Sequence, residues 1–469
     1  MHGPVYLCDD IRRIERAAAD AQPPLMERAG AAAAELAAGL AGDKGKDILV
    51  LAGPGNNGGD ARVVAARLKE RFFRVDVVSE MAHMPQKPWA LLVDGLFGIG
   101  LARDITGGHA ALVEYANRQR CPVLALDIPS GLHADTGRVL GCAVRATQTV
   151  TFIALKPGLL TLDGPDHCGD IVVSDLDLPV SKLVAPSAWV AQPDLFRHRL
   201  KPRARNFHKG MAGSVAILGG AGGMSGAALL AGRAALKMGA GRVYVGLLDE
   251  KAFLDFQNLE LMLRHPDDAL GQDLDALVVG PGLGEGERAE TLVRAALATD
   301  LPCVLDADAL NLIAEDPELR QACARRSADT LLTPHPAEAA RLLAVQTAEV
   351  QADRVKAAKI LSSNLNAHVV LKGNGSILVA RDGHWFVNTS GNPGMASAGM
   401  GDVLAGLLGA LLAQRYSGES ALVLGVHLHG AAADALVRDG IGPVGLTASE
   451  VIERARALWN AWLGADQPR

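Results

Sequence analysis

Short apolar runs that stop at a glycine or an aspartate, each followed by residues at helical spacing, recur along most of this 469-residue chain. The first is Asp47-Ile-Leu-Val-Leu-Ala52, which runs into Gly53-Pro-Gly-Asn-Asn-Gly-Gly-Asp60 and then a helix through Lys69. Runs so short and so apolar suit strands buried on both faces. Alternation with helices makes such strands parallel, because each helix carries the chain back to the edge where the strand began. The expected class is therefore α/β. Residues 73–78, 90–94, 122–127 and 149–153 continue the series as strands, with a helix near 109–118. Two helices precede it: one from Asp9, with Ile11, Ile14 and Ala18 on one face, and one over 25–40 opened by Pro23-Pro24.

Between Asp177 and Arg205 the periodicity gives way to Pro179, Pro186, Pro193 and Pro202. A boundary near residue 195 follows, with domains 1–195 and 196–469. A second series then begins with a strand at 214–218 and a helix at 225–238. Further strands are expected at 242–247, 276–279, 302–305, 330–333 and 368–371. Strands 376–380 and 384–387 read as a hairpin about Arg381-Asp-Gly383. Helices close the chain at 401–414 and 419–438, with a last one that Thr447 and Glu450 can cap.

Acidic and basic residues number 52 and 46, a formal charge of -6. That balance lacks the basic excess of a general nucleic-acid or membrane-surface binder, so neither partner is expected. The six cysteines, Cys8, Cys121, Cys142, Cys168, Cys303 and Cys323, have neither CxxC pairing nor zinc spacing and read as reduced thiols of a cytoplasmic protein. Met1-His-Gly-Pro-Val-Tyr has no secretory-leader pattern, and the longest apolar run, 403–413, is too short to cross a bilayer.

Three strand ends of the first half carry polar loops: Asn56-Asn-Gly-Gly-Asp60, Asp94-Gly-Leu-Phe-Gly-Ile-Gly100-Leu-Ala-Arg-Asp104 and Asp127-Ile-Pro-Ser130-Gly131. In a parallel sheet all three emerge at the edge where ligands bind. The first is not GxGxxG, so an ordinary dinucleotide reader is not expected. Asn57, Asp94, Asp127 and Ser130 offer hard oxygen donors suited to an alkali or alkaline-earth cation; each aspartate could instead only end its strand and cap the next helix.

In the second half, Gly391-Asn-Pro-Gly-Met-Ala-Ser-Ala-Gly-Met-Gly-Asp402 feeds an apolar helix directly. Amides of a first helical turn lack internal partners and suit a phosphate. Asp402 within that turn reads as a catalytic base or, alternatively, as a helix cap. Lys209-Gly-x-x-Gly-Ser214, Gly219-Gly-Ala-Gly-Gly-Met-Ser-Gly226-Ala227, Gly280-Pro-Gly-Leu-Gly284, Leu305-Asp-Ala-Asp-Ala-Leu-Asn311, Thr333-Pro-His335-Pro-x-Glu338 and Lys372-Gly-Asn-Gly-Ser376 accompany it, without a Walker motif. His335 is an imidazole held between prolines or a structural histidine; Lys372 is a phosphate contact or a solvated lysine.

The three first-half loops, in that order, resemble the NAD(P)H-hydrate epimerase family over roughly residues 5–185. The resemblance implies a Rossmann-like three-layer sandwich, with potassium held by Asn57, Asp94 and Ser130. It also implies substrate contacts from Asn56, Asn57, Gly58, Gly59, Asp60, Gly98, Ile99, Gly100, Leu101, Ala102, Arg103, Asp104 and Asp127, with Asp127 catalytic. Two positions depart from the family: Ala61 stands for a usual glycine and Ile99 for a usual threonine. From about Arg205 onward the motifs resemble the ADP- or ATP-dependent NAD(P)H-hydrate dehydratases of the ribokinase-like superfamily. That implies a second αβα domain, substrate contacts from Ala227, Gly282, His335 and Asp402, and a nucleotide held by Lys372, Gly373, Asn374, Gly375, Ser376 and Gly401. Asp402 would be the base, with Mg2+ and ADP as cofactors. The fusion implies epimerisation of R- and S-NAD(P)H hydrate, dehydration of the S form with release of AMP and phosphate, and a homo-oligomer. The competing readings are a vitamin-type kinase and a first half that binds without catalysing.

Overall fold

The computed structural model describes residues 3–43, 45–200, 202–249 and 255–465. Met1 and His2, the start of the stretch read as leader-free, and the outermost residues of both expected domains lie outside them. The chain divides into two compact units, Met1–Val190 and Ala191–Arg469.

The first unit is built on six parallel strands in the order Arg74–Val78, Asp47–Ala52, Leu91–Gly95, Val123–Leu126, Gln148–Phe152, Asp170–Ser174. Side chains alternate across Asp47–Ala52 as the pleat requires. Ile48, Val50 and Ala52 join a core with Ala29 and Ala33 of helix Leu25–Ala41 and Val64 and Leu68 of helix Asn56–Glu70. Leu49 and Leu51 join the opposite core with Leu112, Val113 and Ala116 of helix Gly107–Arg118. Both faces are covered, which gives a three-layer sandwich. The strand Asp170–Ser174 is absent from the sequence reading because it lies at an edge and is half exposed, so it carries no uninterrupted apolar run.

A second difference concerns Asn56 to Asp60, expected as loop. The helix starts at Asn56 with Gly55 as its N-cap, so these residues form the first turn. Gly58 serves close approach here, since a Cβ on it would lie 1.9 Å from the carbonyl oxygen of Gly53. Gly58→Ala should therefore destabilise the first unit by about 1–3 kcal/mol, the usual cost of overpacking, measurable by denaturant titration.

The second unit's sheet runs Trp385–Asn388, Ser376–Val379, His368–Leu371, Thr330–Leu332, Cys303–Leu305, Ala276–Val279, Ser214–Gly219, Arg242–Leu247, Met262–Arg264. It is parallel from His368–Leu371 to Met262–Arg264, and its hairpin pairs antiparallel. The helix Met400–Ala413 packs on the strands so tightly that a Cβ on Gly409 would meet Val278 at 2.3 Å. The helix Gly418–Arg438, at 21 residues, is long and apolar enough to span a bilayer, which the sequence reading overlooked; 78% of its most apolar window is buried inside the protein, as a core helix requires. At the last helix, Ala448–Ala465, Glu450 accepts from the amide of Thr447 at 2.9 Å and its hydroxyl at 2.7 Å.

In the six-stranded sheet of the first unit the chain places its second strand on one side of the first and its third on the other; in the second unit Arg242–Leu247 lies on one side of Ser214–Gly219, with Met262–Arg264 beyond it, and the fourth strand, Ala276–Val279, lies on the other. The loops leaving the two strands on either side of each reversal therefore diverge, the arrangement that favours a crevice at the sheet edge. In the first unit those loops begin at Gly53 and Leu96; in the second, at Gly220 and Gly280.

Candidate active sites

The first crevice is a cavity of about 740 Å³ lined by Asn56, Asn57, Asp60, Gly98, Ile99, Gly100, Leu101, Ala102, Arg103 and Asp127, together with Ile11, Arg12, Glu15 and Met26 from the two leading helices. Of the expected substrate residues, Gly58, Gly59 and Asp104 are not on its wall. Gly58 packs against Gly53, a Cβ on Gly59 would meet Met26, and Asp104 is exposed. Ala61 is also off the wall; it is fully buried, and the strand end accommodates its methyl group with Gly95, where a Cβ would come within 2.5 Å. Ile99 lies on the wall and packs against the core.

Asp94 and Ser130 are fully buried behind that wall. The Ser130 hydroxyl donates to Asp94 at 2.7 Å and its amide at 2.8 Å, while the amide of Phe97 donates to the Ser130 hydroxyl at 2.8 Å. Burial pushes the Asp94 carboxyl above its ordinary range against these bonds. Asn57 differs: both polar atoms of its amide are buried without a hydrogen-bond partner. Such an orphaned oxygen is costly unless something fills its coordination.

Asp127 sits just past the strand Val123–Leu126 with φ 65°, a left-handed conformation a non-glycine residue holds only under constraint. The constraint is visible. Its carboxylate accepts from the amide of Phe152 at 3.2 Å and from the Lys156 ammonium at 2.5 Å, and Lys156 donates also to Thr151 and the carbonyl of Phe152 at 2.8 and 2.7 Å. Lys156 is 0% exposed. Glu15 and Asp60 line the same cavity as Asp127. Burial, reinforced by the charges of Asp127 and Glu15, pushes the Asp60 carboxyl up to about 8; burial raises Glu15 as well.

In the second unit, Gly401 and Asp402 lie in the first turn of helix Met400–Ala413, behind a left-handed Gly399. A Cβ on Gly401 would be 3.4 Å from the Lys372 ammonium and 3.6 Å from the Asp306 carboxylate. Lys372 donates to Asp306 at 3.0 Å, Thr333 donates to the same oxygen at 2.6 Å, and Glu338 lies 4.0 Å from Lys372. Burial pulls the Lys372 ammonium down, but Asp306 and Glu338 outweigh it and hold the group above its ordinary range. Asp402 makes no hydrogen bond among the described residues; burial and the charge of Asp306 push it up to about 6, with Lys372 opposing. His335 is the N-cap of helix Pro336–Leu343, its Nδ1 accepting from the amides of Ala337 and Glu338 at 3.1 and 3.3 Å, while burial and Lys372 lower its pKa. The imidazole is thus neutral, with its other nitrogen 3.2 Å from Glu338.

Ala227 meets Gly282, whose Cβ position is 3.2 Å from the methyl group, and the turn that follows is tied in by Gly284, whose amide donates to Asp308 at 2.7 Å. Gly280 takes φ 126° against the carbonyl of Asp306 and links the same two turns. Gly373 to Ser376 form a turn closed by the Ser376 hydroxyl, which accepts from the Gly373 amide at 3.2 Å and donates to its carbonyl at 3.0 Å; Ser376 begins the next strand, and Asn374 and Gly375 lie between. Among the described residues no group of three or more His, Cys, Asp or Glu side chains is arranged to hold a metal ion.

A family model described as NAD(P)H-hydrate dehydratase matches residues 215–455, and one described as YjeF-related protein N-terminus matches 22–90 and 79–158. The bifunctional NAD(P)H-hydrate repair enzyme Nnr of Coxiella burnetii is 38% identical over 97% of this chain and 99% of its own length; that of Escherichia coli is 37% identical over 97% and 94%. The chain belongs to the bifunctional NAD(P)H-hydrate repair enzyme family. Among solved structures, the ADP/ATP-dependent NAD(P)H-hydrate dehydratase of Bacillus subtilis, co-crystallised with ATP and Mg2+, aligns with a TM-score of 0.52 and 29% identity over 58% of this chain and 98% of its own. The C-terminal fold of this family member is accordingly ribokinase-like, and its N-terminal unit Rossmann-like.

The sequence reading gave no role to Asp306, Glu338, Lys156 or Glu15. Asp306 and Glu338 stood inside motifs it singled out, and a lysine in the apolar stretch Ile153-Ala-Leu-Lys156-Pro was a readable signal of a buried partner. Glu15 carried none; only folding brings its helix to the cavity.

Proposed function

We propose that the first unit interconverts the R and S hydrates of NADH and NADPH and that the second dehydrates the S form at the expense of ADP, yielding AMP and phosphate. The observation that supports this most is Asp402: a half-buried carboxylate free of hydrogen bonds, in an amide-rich helix mouth beside Lys372. A base there can take the proton of the hydrate hydroxyl as that oxygen attacks the terminal phosphoryl group, whose charge Lys372 and the helix amides stabilise. The phosphate ester then departs as the ring nitrogen donates its electron pair, and the reduced nicotinamide is restored. His335, Ala227 and Gly282 face the hydrate, and the Lys372–Ser376 turn with Gly401 holds the nucleotide.

In the first unit Asp127 moves protons at the hydrated carbon, with the loops at Asn56 and Gly98 to Arg103 holding the cofactor. A potassium ion fits the uncoordinated oxygen of Asn57, with Asp94 and Ser130, already bonded to one another, as its other candidate ligands. When bound it would offset the negative charge gathered there. Mg2+ is usually held by substrate phosphates and one or two carboxylates, and Asp306, beside Lys372, is the carboxylate at hand. The six unpaired cysteines suit a cytoplasmic, reducing setting, and a homo-oligomer is part of the same reading.

The test is to incubate the protein with both NADH hydrates, Mg2+ and either ADP or ATP. Recovery of reduced-nicotinamide absorbance with release of phosphate is expected; accumulation of a phosphorylated product would mark a kinase instead. Lys372→Met should raise the KM for nucleotide about 10- to 100-fold, as loss of a charge-assisted contact worth roughly 1.5–3 kcal/mol demands, and leave epimerisation unchanged when the separated R and S forms are followed without nucleotide.

A further inference from the structure

The ionisable side chains on the wall of the first cavity are Arg12 and Glu15 from the leading helix, Asp60 from the first turn of the next helix but one, Arg103 from the loop after Leu91–Gly95, and Asp127 from the end of Val123–Leu126. Their partners are unequal. Asp127 has Lys156, buried behind it at 2.5 Å, and the Phe152 amide. Arg12 is engaged with Asp9 at 2.9 Å. Asp60 makes no hydrogen bond or ion pair among the described residues, although Glu15 and Asp127 stand near enough to act on it by charge. Three carboxylates therefore share one cavity, and the lysine buried behind its wall is committed to one of them. Like charges so placed leave a member of the set protonated at neutral pH, and the member without a cation beside it is Asp60.

Inversion at the hydrated carbon needs proton traffic on both faces of the ring, because water leaves one face and returns to the other. We propose that Asp60 is a second catalytic residue of the epimerase, the acid that protonates the departing hydroxyl while Asp127 acts as base. This rests on the epimerase reading above. In the step, the C–O bond breaks with its electron pair going to oxygen and the Asp60 proton completing a water molecule, as the ring nitrogen's pair forms the C=N bond of an iminium. A second water then attacks the other face, its oxygen bonding to carbon as its proton passes to Asp127. The product leaves Asp60 ionised and Asp127 protonated, the state required for the reverse inversion, and solvent exchange resets either.

The experiment is the pH profile of hydrate epimerisation by the full chain without nucleotide, followed on separated R and S forms. Wild type should lose rate as pH rises through about 8, where Asp60 loses its proton. Asp60→Asn should lower kcat about 10²-fold or more, keep KM within about threefold and abolish that alkaline limb. Glu15→Gln, which removes a neighbouring negative charge, should move the limb to lower pH while keeping most of the rate. Equal loss in KM and kcat with the alkaline limb retained in Asp60→Asn, or a Glu15→Gln limb that stays in place, would overturn the role of Asp60 alone. A wild-type protein that leaves the R to S ratio untouched would overturn the epimerase reading and this inference with it.

Discussion

Asp402→Asn is expected to lower the kcat of nucleotide-dependent dehydration by about 10²–10⁴-fold, the range a positioned general base supplies, while epimerisation continues at its normal rate. Affinity for the nucleotide should hold, because Lys372 and the turn through Ser376 remain. The fold should hold too. Burial and Asp306 push the Asp402 pKa from the ordinary carboxylate range to about 6, so the folded state disfavours the ionised group, and its neutral isostere leaves Tm unchanged or raises it. The direction of the pH profile follows from the same shift. A base must be ionised, so dehydration should run above pH 6 and fall as pH drops through that value. Bound nucleotide adds negative charge and moves the limb further up. A profile of kcat flat from pH 5 to 8, or a variant that dehydrates at near wild-type rate, would remove Asp402 from the chemistry.

The legibility of this fold in the sequence depends on where each element lies. Arg242–Leu247, Ala276–Val279 and His368–Leu371 are central strands buried on both faces, and their bounds are those read from the apolar runs. Asp170–Ser174 escaped because an edge strand keeps polar residues toward water. Asn56 to Asp60 looked like loop because asparagine and glycine are poor helix formers; the contact of Gly58 with Gly53 decides the conformation, and that contact is tertiary. The sites divide the same way. Positions carried by a local motif, such as Lys372 or Asp402, could be named in advance. Those that depend on which elements meet, Glu15 with Asp60 and Lys156 with Asp127, could not.

That last pair alters the expected outcome at Asp127. Asp127→Asn should abolish interconversion of the hydrates, and from sequence alone the fold would be expected to survive untouched. The structure says otherwise. Lys156 is fully buried, and among the described residues its only carboxylate contact is Asp127; the remaining bonds, to Thr151 and the Phe152 carbonyl, are neutral. Removing one partner of a buried pair leaves the other charge uncompensated, at a cost of roughly 3–5 kcal/mol. For a unit of this size that lowers Tm by roughly 6–20 °C. Lys156→Met should cost less, because Asp127 borders the cavity and water can solvate it. Combining the two substitutions should restore much of the Tm and none of the epimerisation. Thermal melts of the three variants beside the epimerase assay separate the two roles: a double variant as unstable as Asp127→Asn would show that Asp127 holds its strand end by something other than charge, and one that epimerises would show that it is not the base.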